Sequence, residues 1–452
     1  MENNNTLIEQ LDLLTYVDID ELAPIPKRLE YIEPILTLIE QSGDHELLQE
    51  AVNLVKTRVQ YEARLYWYAN GRNGLLSLAT GVGKSRTAIM DLLETENLEQ
   101  GDVLIVVPTQ KLRDTGWKEE FEKWGASNIY SKIELVCYDS LKNMRDKHYN
   151  KIYLDEVQNI TDGNLSFFRE HGNSYAELLA LTATRPKANT DKSKILDKLE
   201  LKTDYTVTTD EAIALRLIAP YDMVLVGVQL GTEPVIEAGN KKNRFMQSEV
   251  AAYKYQCKLV NESTRENRSR VILGRRRFLK TLPSLEKSAK FILDKFIGKE
   301  ERTLIFAGSK EQAMALCEHT YISKPSFKED DTEVYKAKIQ KQLERYRGEE
   351  DLEAFCRGEI SRIASVKKLN EGANLPMLDV GLAIGLDSDD GGLVQMLGRL
   401  LRYRIGHRGK FIVLVALGTE ARDWAYSAIS GINPDNIKRV MIEDLISGKE
   451  TI

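Results

Sequence analysis

Short apolar runs alternate with segments of helical periodicity along most of the chain, in two separate blocks. The runs of the first block lie at 75–78, 103–107, 133–137, 152–154 and 178–181. The runs of the second block lie at 303–307, 360–366, 380–384 and 411–417. Strands that alternate with helices are typical of parallel sheets. The pattern therefore predicts an α/β protein with two parallel-sheet domains in tandem.

Charge and periodicity divide the 452 residues further. The predicted segments are an acidic helical N-terminal segment at 1–55, a first sheet domain at 56–225, a basic connector at 226–300, and a second sheet domain with C-terminal helices at 301–452. The net charge is −6, but residues 1–50 carry twelve acids and two bases, whereas residues 241–287 carry thirteen bases and four acids. Such an uneven distribution of charge along the chain indicates binding partners better than the net charge does.

A glycine-rich turn joins the first predicted strand to a predicted helix at 86–93. The turn consists of Thr80, Gly81, Val82, Gly83, Lys84 and Ser85. Its glycines let the backbone approach an anion, and the helix N-terminus offers unpaired N–H groups. Lys84 can reach the β- and γ-phosphates of ATP, and the Ser85 hydroxyl can bind Mg²⁺. The turn predicts an ATP site of the short GxGKS form.

Two acids come directly after the apolar run at 152–154. Asp155 is expected to hold Mg²⁺, and Glu156 to orient or deprotonate the attacking water. An acidic pair at the end of a strand is by itself more often a solvated turn. The phosphate-binding turn upstream favours the catalytic interpretation.

Two further groups of residues each allow two interpretations. Thr182 and Thr184 come after the run at 178–181, and they either cap the end of a strand or link hydrolysis to domain movement. Arg399 and Arg402 are three residues apart and would share one helix face. They either stabilise the charge on a γ-phosphate or pair with acids at the surface.

Taken together, these motifs resemble those of superfamily 2 helicases and translocases, over roughly residues 56–420. The similar segments are 79–85 for motif I, 107–109 with Trp117 for motif Ia, 155–158 for motif II, 182–184 for motif III, 305–309 for motif IV, 369–376 for motif V, 395–402 for motif VI, and 58–60 for an adenine-reading Q-type motif. The family's order of motifs is kept.

The resemblance implies two RecA-like domains that bind ATP and Mg²⁺ between them, with a nucleic acid strand lying across both. It makes Arg399 and Arg402 arginine fingers. It adds Arg58, Gln60, Gln158, Gly372 and Gln395 to the nucleotide-binding residues, and it gives Thr109, Thr182, Thr184 and Asn374 a part in strand contact or coupling. Gln158 departs from the DEAD and DEAH forms, which argues against a DEAD-box RNA helicase.

We therefore expect an ATP-dependent DNA helicase or translocase that acts on single-stranded or branched DNA in replication, recombination or repair. The compact size and the motif at 371–376 are similar to phage UvsW-type helicases. The alternatives are an RNA helicase and a motor subunit that moves on duplex DNA without separating strands. Four scattered cysteines, no signal-peptide pattern and no apolar run of membrane-spanning length favour the cytoplasm of a bacterial or phage-infected cell.

The basic connector is the last candidate site. Arg275, Arg276 and Arg277 stand in its most positive part. They either hold phosphates of the DNA backbone, or pair with acids between the domains or with the acidic N-terminal helices.

Overall fold

Parallel β-strands organise the chain, as the alternating pattern predicts. The computed structural model describes residues 6, 8–9, 25–183, 185–186, 188–239, 243–327, 333–366, 375–386, 396–398, 400, 403–430 and 432–452. Its strands are β1 (Asn73–Leu78), β2 (Val103–Val107), β3 (Ile133–Cys137), β4 (His148–Leu154), β5 (Ser174–Thr182), β6 (Thr203–Val207), β7 (Tyr221–Val228), β8 (Pro234–Gly239), β9 (Arg244–Ser248), β10 (Thr303–Phe306), β11 (Thr320–Tyr321), β12 (Arg362–Ser365), β13 (Val380–Ile384), β14 (Gly409–Ala416) and β15 (Ile437–Met441).

Helices alternate with these strands. They are α1 (Ile25–Gln41), α2 (His45–Ala69), α3 (Lys84–Leu93), α4 (Trp117–Lys123), α5 (Ser127–Tyr130), α6 (Tyr138–Leu141), α7 (Leu165–Arg169), α8 (Asp191–Asp197), α9 (Thr209–Ala214), α10 (Glu249–Glu262), α11 (Arg268–Lys280), α12 (Pro283–Lys295), α13 (Lys310–Leu316), α14 (Glu333–Arg345), α15 (Glu349–Arg357), α16 (Glu420–Ala428) and α17 (Ile442–Ile446). Among the described residues, no helix has both the length and the apolar character needed to cross a bilayer.

The first sheet has the strand order β3-β2-β4-β5-β1-β6, and all its pairs are parallel. β2 is buried along its whole length, and the side chains of β1, β4 and β5 are buried towards their carboxyl ends. Because β1 and β4 both pair with β5, the residues directly after these three strands meet at one edge of the sheet. This edge receives residues 79–85, Asp155 and Glu156, and Thr182.

The long helix α2 leads into the first sheet. It begins at His45, where the Asp44 side chain accepts a hydrogen bond from the Leu47 backbone N–H. The sequence predicts a boundary at residue 55, with the sheet domain beginning at residue 56. That boundary falls inside α2, because no glycine or proline interrupts residues 45–69 and the buried apolar positions continue without a break.

The second sheet has the strand order β11-β12-β10-β13-β14-β7-β15, and it is also parallel. β7 lies in this sheet, between β14 and β15, although it precedes the predicted second domain by some eighty residues. The chain divides into two compact units between Ala219 and Pro220, except that residues 403–406 belong to the first unit. The expected boundary near residue 225 therefore passes through β7.

The predicted connector at 226–300 is folded and belongs to the second unit. It contains the antiparallel hairpin β8–β9, and then α10, α11 and α12. α12 buries Leu285, Ala289 and Ile292 in the hydrophobic core beneath the second sheet. The segment thus contributes to a core as well as carrying positive charge.

Candidate nucleotide site

The turn between β1 and α3 has the backbone conformation that an anion cradle requires. Gly81 and Gly83 have φ angles of 98° and 106°, in the left-handed region that side chains disfavour. Val82 is fully buried between them, and α3 begins at Lys84. Ser85 stands half-buried in the first turn of α3. The N–H groups of this first turn can bind a phosphate, as predicted for this sequence.

Gln60 supports the turn from α2. Its side-chain Nε2 donates a hydrogen bond of 2.6 Å to the Val82 carbonyl, and the residue is fully buried. A Cβ atom added to Gly83 would collide with this amide group. Gln60 thereby fixes the shape of the turn. Its predicted contact with adenine stays a prediction, and so does that of Arg58, which is half-buried on the same helix.

Asp155 lies directly after β4 and is 6% exposed. The Trp117 indole Nε1 donates a hydrogen bond of 3.1 Å to its carboxylate, and the Tyr138 hydroxyl donates one of 3.0 Å to its backbone carbonyl. Burial, and secondly the neighbouring charge of Glu156, raise the pKa of Asp155 to about 7, while Lys84 opposes this rise. The contact of Tyr138 was not predicted, because a single tyrosine after a strand carries no sequence signal.

Glu156 has a strained backbone, with φ of 48° and ψ of 57°. A side chain in the left-handed region is uncommon and tends to occur at functional sites. The Lys84 Nζ lies 3.4 Å from its carboxylate. Burial by itself would raise the pKa of Glu156, but the charge of Lys84 and the hydrogen bond from Gln158 lower it below its ordinary value.

Gln158 connects Glu156 to the end of β5. Its Nε2 donates to the Glu156 carboxylate at 2.8 Å, and its side-chain carbonyl accepts a hydrogen bond of 2.7 Å from the Thr182 hydroxyl. The Ala183 backbone also hydrogen-bonds to Glu156. Lys84, Glu156, Gln158 and Thr182 thus form a continuous chain of polar contacts. The structure brings residues of predicted motifs I, II and III together at one edge of the first sheet.

The residues at this edge fit Mg²⁺ by their chemistry. A carboxylate from Asp155 and a hydroxyl from Ser85 are hard oxygen donors, which Mg²⁺ prefers. The buried Asp155 carboxylate has a raised pKa, and a divalent cation bound beside it would favour its charged form.

Thr109 lies just after β2 and is half-buried. Its hydroxyl accepts a long hydrogen bond of 3.4 Å from the Leu112 N–H, in the segment that precedes α4. The sequence predicts one helix over 110–124. The structure instead has a π-helical turn at Leu112–Gly116 before α4, and Leu112 packs where a side chain on Gly116 would stand.

Six of the predicted site residues lie outside the described residues, and their roles stay predictions. These residues are Thr184, Gly372, Asn374, Gln395, Arg399 and Arg402.

The three arginines of the connector lie on α11 in different surroundings. The Arg275 guanidinium forms an ion pair with Glu420, and the Arg276 guanidinium lies 5.3 Å from the centre of the Trp424 ring. Both contacts are with α16 in the same unit. Arg277 is exposed. Arg275 and Arg276 therefore have intramolecular partners, which lie in α16 and not in the acidic N-terminal helices, whereas the side chain of Arg277 is open to solvent.

A second polar cluster lies among the residues that begin β4 and β5. A cavity of about 420 Å³ is lined there by charged groups that include Arg72, Asp91, Lys151 and Glu177. The Lys151 Nζ is 2.8 Å from both Asp91 and Glu177. This cluster has no signal in the sequence, because Arg72 precedes β1 and the other three members come from α3, β4 and β5, so no local spacing links them.

One family model and one relative are similar in sequence to this chain. The family described as "Type III restriction enzyme, res subunit" matches residues 41–197, which include the turn, Asp155 to Gln158 and Thr182. A DNA 3'-5' translocase named XPB2, from Sulfurisphaera tokodaii, is 24% identical over 383 residues, covering 80% of this chain and 81% of the relative.

Two solved structures are also similar to this chain. The helicase domain of Hef from Pyrococcus furiosus has a TM-score of 0.43 at 15% identity, over 82% of this chain and 97% of the other. The ATP-dependent Type ISP restriction-modification enzyme LlaBIII bound to DNA has a TM-score of 0.48 at 14% identity, over 85% of this chain and 31% of the other. Both scores are below 0.5, so the fold assignment rests on the strand order of the chain itself.

The predicted resemblance to superfamily 2 helicases and translocases is confirmed by the family match and the relative together. The prediction of a UvsW-type protein has no support from these relatives and stays a prediction.

Proposed function

We propose that this chain is an ATP-hydrolysing motor that translocates on DNA. The observation that carries the proposal is the chain of contacts from Lys84 through Glu156 and Gln158 to Thr182. It joins the phosphate-binding turn to the acidic pair in the way that phosphate binding and water activation require. The named activity of the relative, a DNA translocase, supports DNA as the track.

The ion pair between Lys84 and Glu156 gives a mechanism for turning hydrolysis on. When the phosphates of ATP enter the turn, the Lys84 ammonium moves its contact from Glu156 to a phosphate oxygen. The Glu156 carboxylate is then free to accept a proton from the attacking water. Gln158 keeps the carboxylate oriented, and Thr182 holds Gln158. Mg²⁺, held by Ser85 and Asp155, would neutralise charge on the phosphates.

Further roles in this proposal come from the motif resemblance. Arg399 and Arg402 stabilise the transferred phosphoryl group, and Gly372 and Gln395 contribute to the nucleotide site. Thr109, Thr184 and Asn374 contact the strand or couple its movement to hydrolysis. Branch migration, recombination and repair are the proposed settings of the activity, in the cytoplasm.

The test is ATP hydrolysis by the full chain with single-stranded, duplex, forked and four-way DNA and with RNA. We expect low activity without nucleic acid, strong stimulation by DNA and weaker stimulation by RNA. Glu156→Gln serves as the inactive control. Equal activity with and without DNA would contradict a DNA motor, and stronger stimulation by RNA would favour the RNA helicase.

A motor that moves on duplex DNA without separating strands is the second candidate. It is an alternative that the sequence left open, and the family match and the relative do not favour it over a helicase. Displacement of a triplex-forming strand measures translocation, and displacement of a paired strand measures unwinding. Triplex displacement without unwinding would select the second candidate.

A further inference from the structure

Helix α11 carries its arginines on two different sides. Arg275 and Arg276 contact Glu420 and Trp424 of α16, so they belong to the packed side. Arg270, Leu273, Gly274 and Arg277 are all exposed. Their spacing of three, four and seven residues places them on one face of the helix. We call these four residues the open face.

The open face is positive and has no acidic residue on its own helix. The sequence of α11 contains no aspartate or glutamate. Within the described part of the chain, no carboxylate lies at ion-pair distance from Arg270 or Arg277. Two guanidiniums on one side of a helix can bind two phosphates of one backbone.

Gly274 lies between the two arginines, in the interior of the helix. Glycine is less stable than alanine at such a position. A Cβ atom built on Gly274 would meet no atom within 4 Å, so packing within the described residues does not require glycine. Glycine also allows close approach of a ligand to the backbone. Beside it, Leu273 is 52% exposed and offers an apolar contact.

We propose that the open face binds the phosphate backbone of a DNA strand. Arg270 and Arg277 bind phosphates, and Gly274 lets the strand lie against the helix. This inference deepens the proposed function and rests on it. It adds Arg270 to the predicted DNA contacts, keeps Arg277, and assigns Arg275 and Arg276 to the packing of α11 on α16.

Salt dependence of DNA binding tests the two arginines. The affinity of the full chain for a fluorescent oligothymidylate is measured by anisotropy at several salt concentrations. Each lost contact with a single strand flattens the log–log slope by about 0.7, so Arg270→Ala/Arg277→Ala should flatten it by about 1.4. The matched control is Lys287→Ala/Lys295→Ala, which removes two exposed charges from α12. If the control variant flattened the slope equally, the effect would come from net charge alone, and the proposed contact of Arg270 and Arg277 with DNA would be contradicted.

A bulky residue at position 274 tests the close approach separately. Leucine is a better helix former than glycine, so Gly274→Leu should not lower the melting temperature. We expect it to weaken DNA binding by threefold or more. Ala251→Leu places the same side chain at an exposed position of α10 and should leave affinity unchanged. Parental affinity in Gly274→Leu would overturn the role of the glycine.

The outcomes separate this inference from the proposed function. If the parent chain neither binds DNA nor hydrolyses ATP faster with it, the motor itself is contradicted. If the parent does both and the arginine variant keeps the parental slope, only the open face is contradicted. A parental slope together with loss of binding to a protein partner would assign the face to that partner.

Discussion

The two parallel sheets of this chain share one design and differ in the residues at the carboxyl ends of their strands. In the first sheet, β1, β4 and β5 end in the phosphate-binding turn, the acidic pair and Thr182. In the second sheet, the carboxyl-terminal halves of β7, β14 and β15 line a cavity of about 270 Å³. Leu225, Val415 and Leu417 form apolar parts of its wall, and the charged residues Arg439, Asp444 and Glu450 also line it.

This difference shows that the scaffold does not determine the chemistry. Parallel strands bring the residues after them to one edge in either sheet. At this edge of the first sheet, the described residues Lys84, Glu156, Gln158 and Thr182 form a chain of polar contacts, and the Asp155 carboxylate accepts a hydrogen bond from Trp117 beside it. At the second sheet, the described lining of the cavity includes Gly227 and Met441 but no lysine.

The largest expected effect comes from removing the carboxylate of the first sheet. Glu156→Gln keeps the size of the side chain and can still accept a hydrogen bond from Gln158. It cannot take a proton from water, and loss of a general base costs about 100- to 10,000-fold. We expect DNA-stimulated turnover to fall by that factor, while ATP still binds. Single-turnover hydrolysis and nucleotide titration measure the two quantities.

Glu122→Gln is the control for this change, since Glu122 is exposed on α4. It should hydrolyse ATP at the parental rate. Parental turnover in Glu156→Gln would mean that the polar contacts at the first sheet are structural. The two sheets would then not differ in catalytic function.

Local patterns in the sequence were sufficient for much of this first site. The glycines of the turn and the acids after 152–154 are contiguous, and the strands that position them have buried, apolar side chains. Gln158 and Thr182 were identified through their motifs. Their mutual hydrogen bond results from the pairing of β4 with β5, which connects residues 24 positions apart.

The elements that the sequence analysis missed depend on distant partners. β7 has an apolar sequence like the other strands, but its place between β14 and β15 results from pairing with residues far along the chain. β6 and β15 have polar residues among their apolar ones and lie at the edges of their sheets. The contacts of Arg275 and Arg276 could not be predicted, because Glu420 and Trp424 are about 150 residues away.

A smaller effect is expected from interrupting the polar chain at its far end. Thr182→Val keeps the shape of the side chain but removes the hydroxyl that donates to Gln158. An unsatisfied buried polar group costs about 1–3 kcal/mol. We expect roughly tenfold slower DNA-stimulated turnover with the KM for ATP little changed. Thr182→Ser restores the donor and should recover most of the rate. Equal rates in the valine and serine variants would show that the hydroxyl is not used.

The smallest effect is expected where the second sheet meets its cavity. A Cβ atom on Gly227 would lie 2.9 Å from Leu417 Cδ1 and 3.0 Å from Met441 Sδ, both at the ends of flexible side chains beside the cavity. These side chains can move, so Gly227→Ala should change stability by less than about 1 kcal/mol and leave ATP hydrolysis unchanged.

Gly381→Ala, in β13 of the same sheet, is the matched contrast. Its Cβ would lie 2.6 Å from a ring carbon of Phe411, which is fully buried. Overpacking of this kind costs about 1–3 kcal/mol. Hydrogen exchange of amides in β7 and β13 would measure both changes. If Gly227→Ala destabilised the sheet as much as Gly381→Ala, or slowed ATP hydrolysis at parental stability, the cavity would be more than a packing gap. The contrast between a catalytic site at the edge of the first sheet and a purely structural cavity at the second would then be wrong.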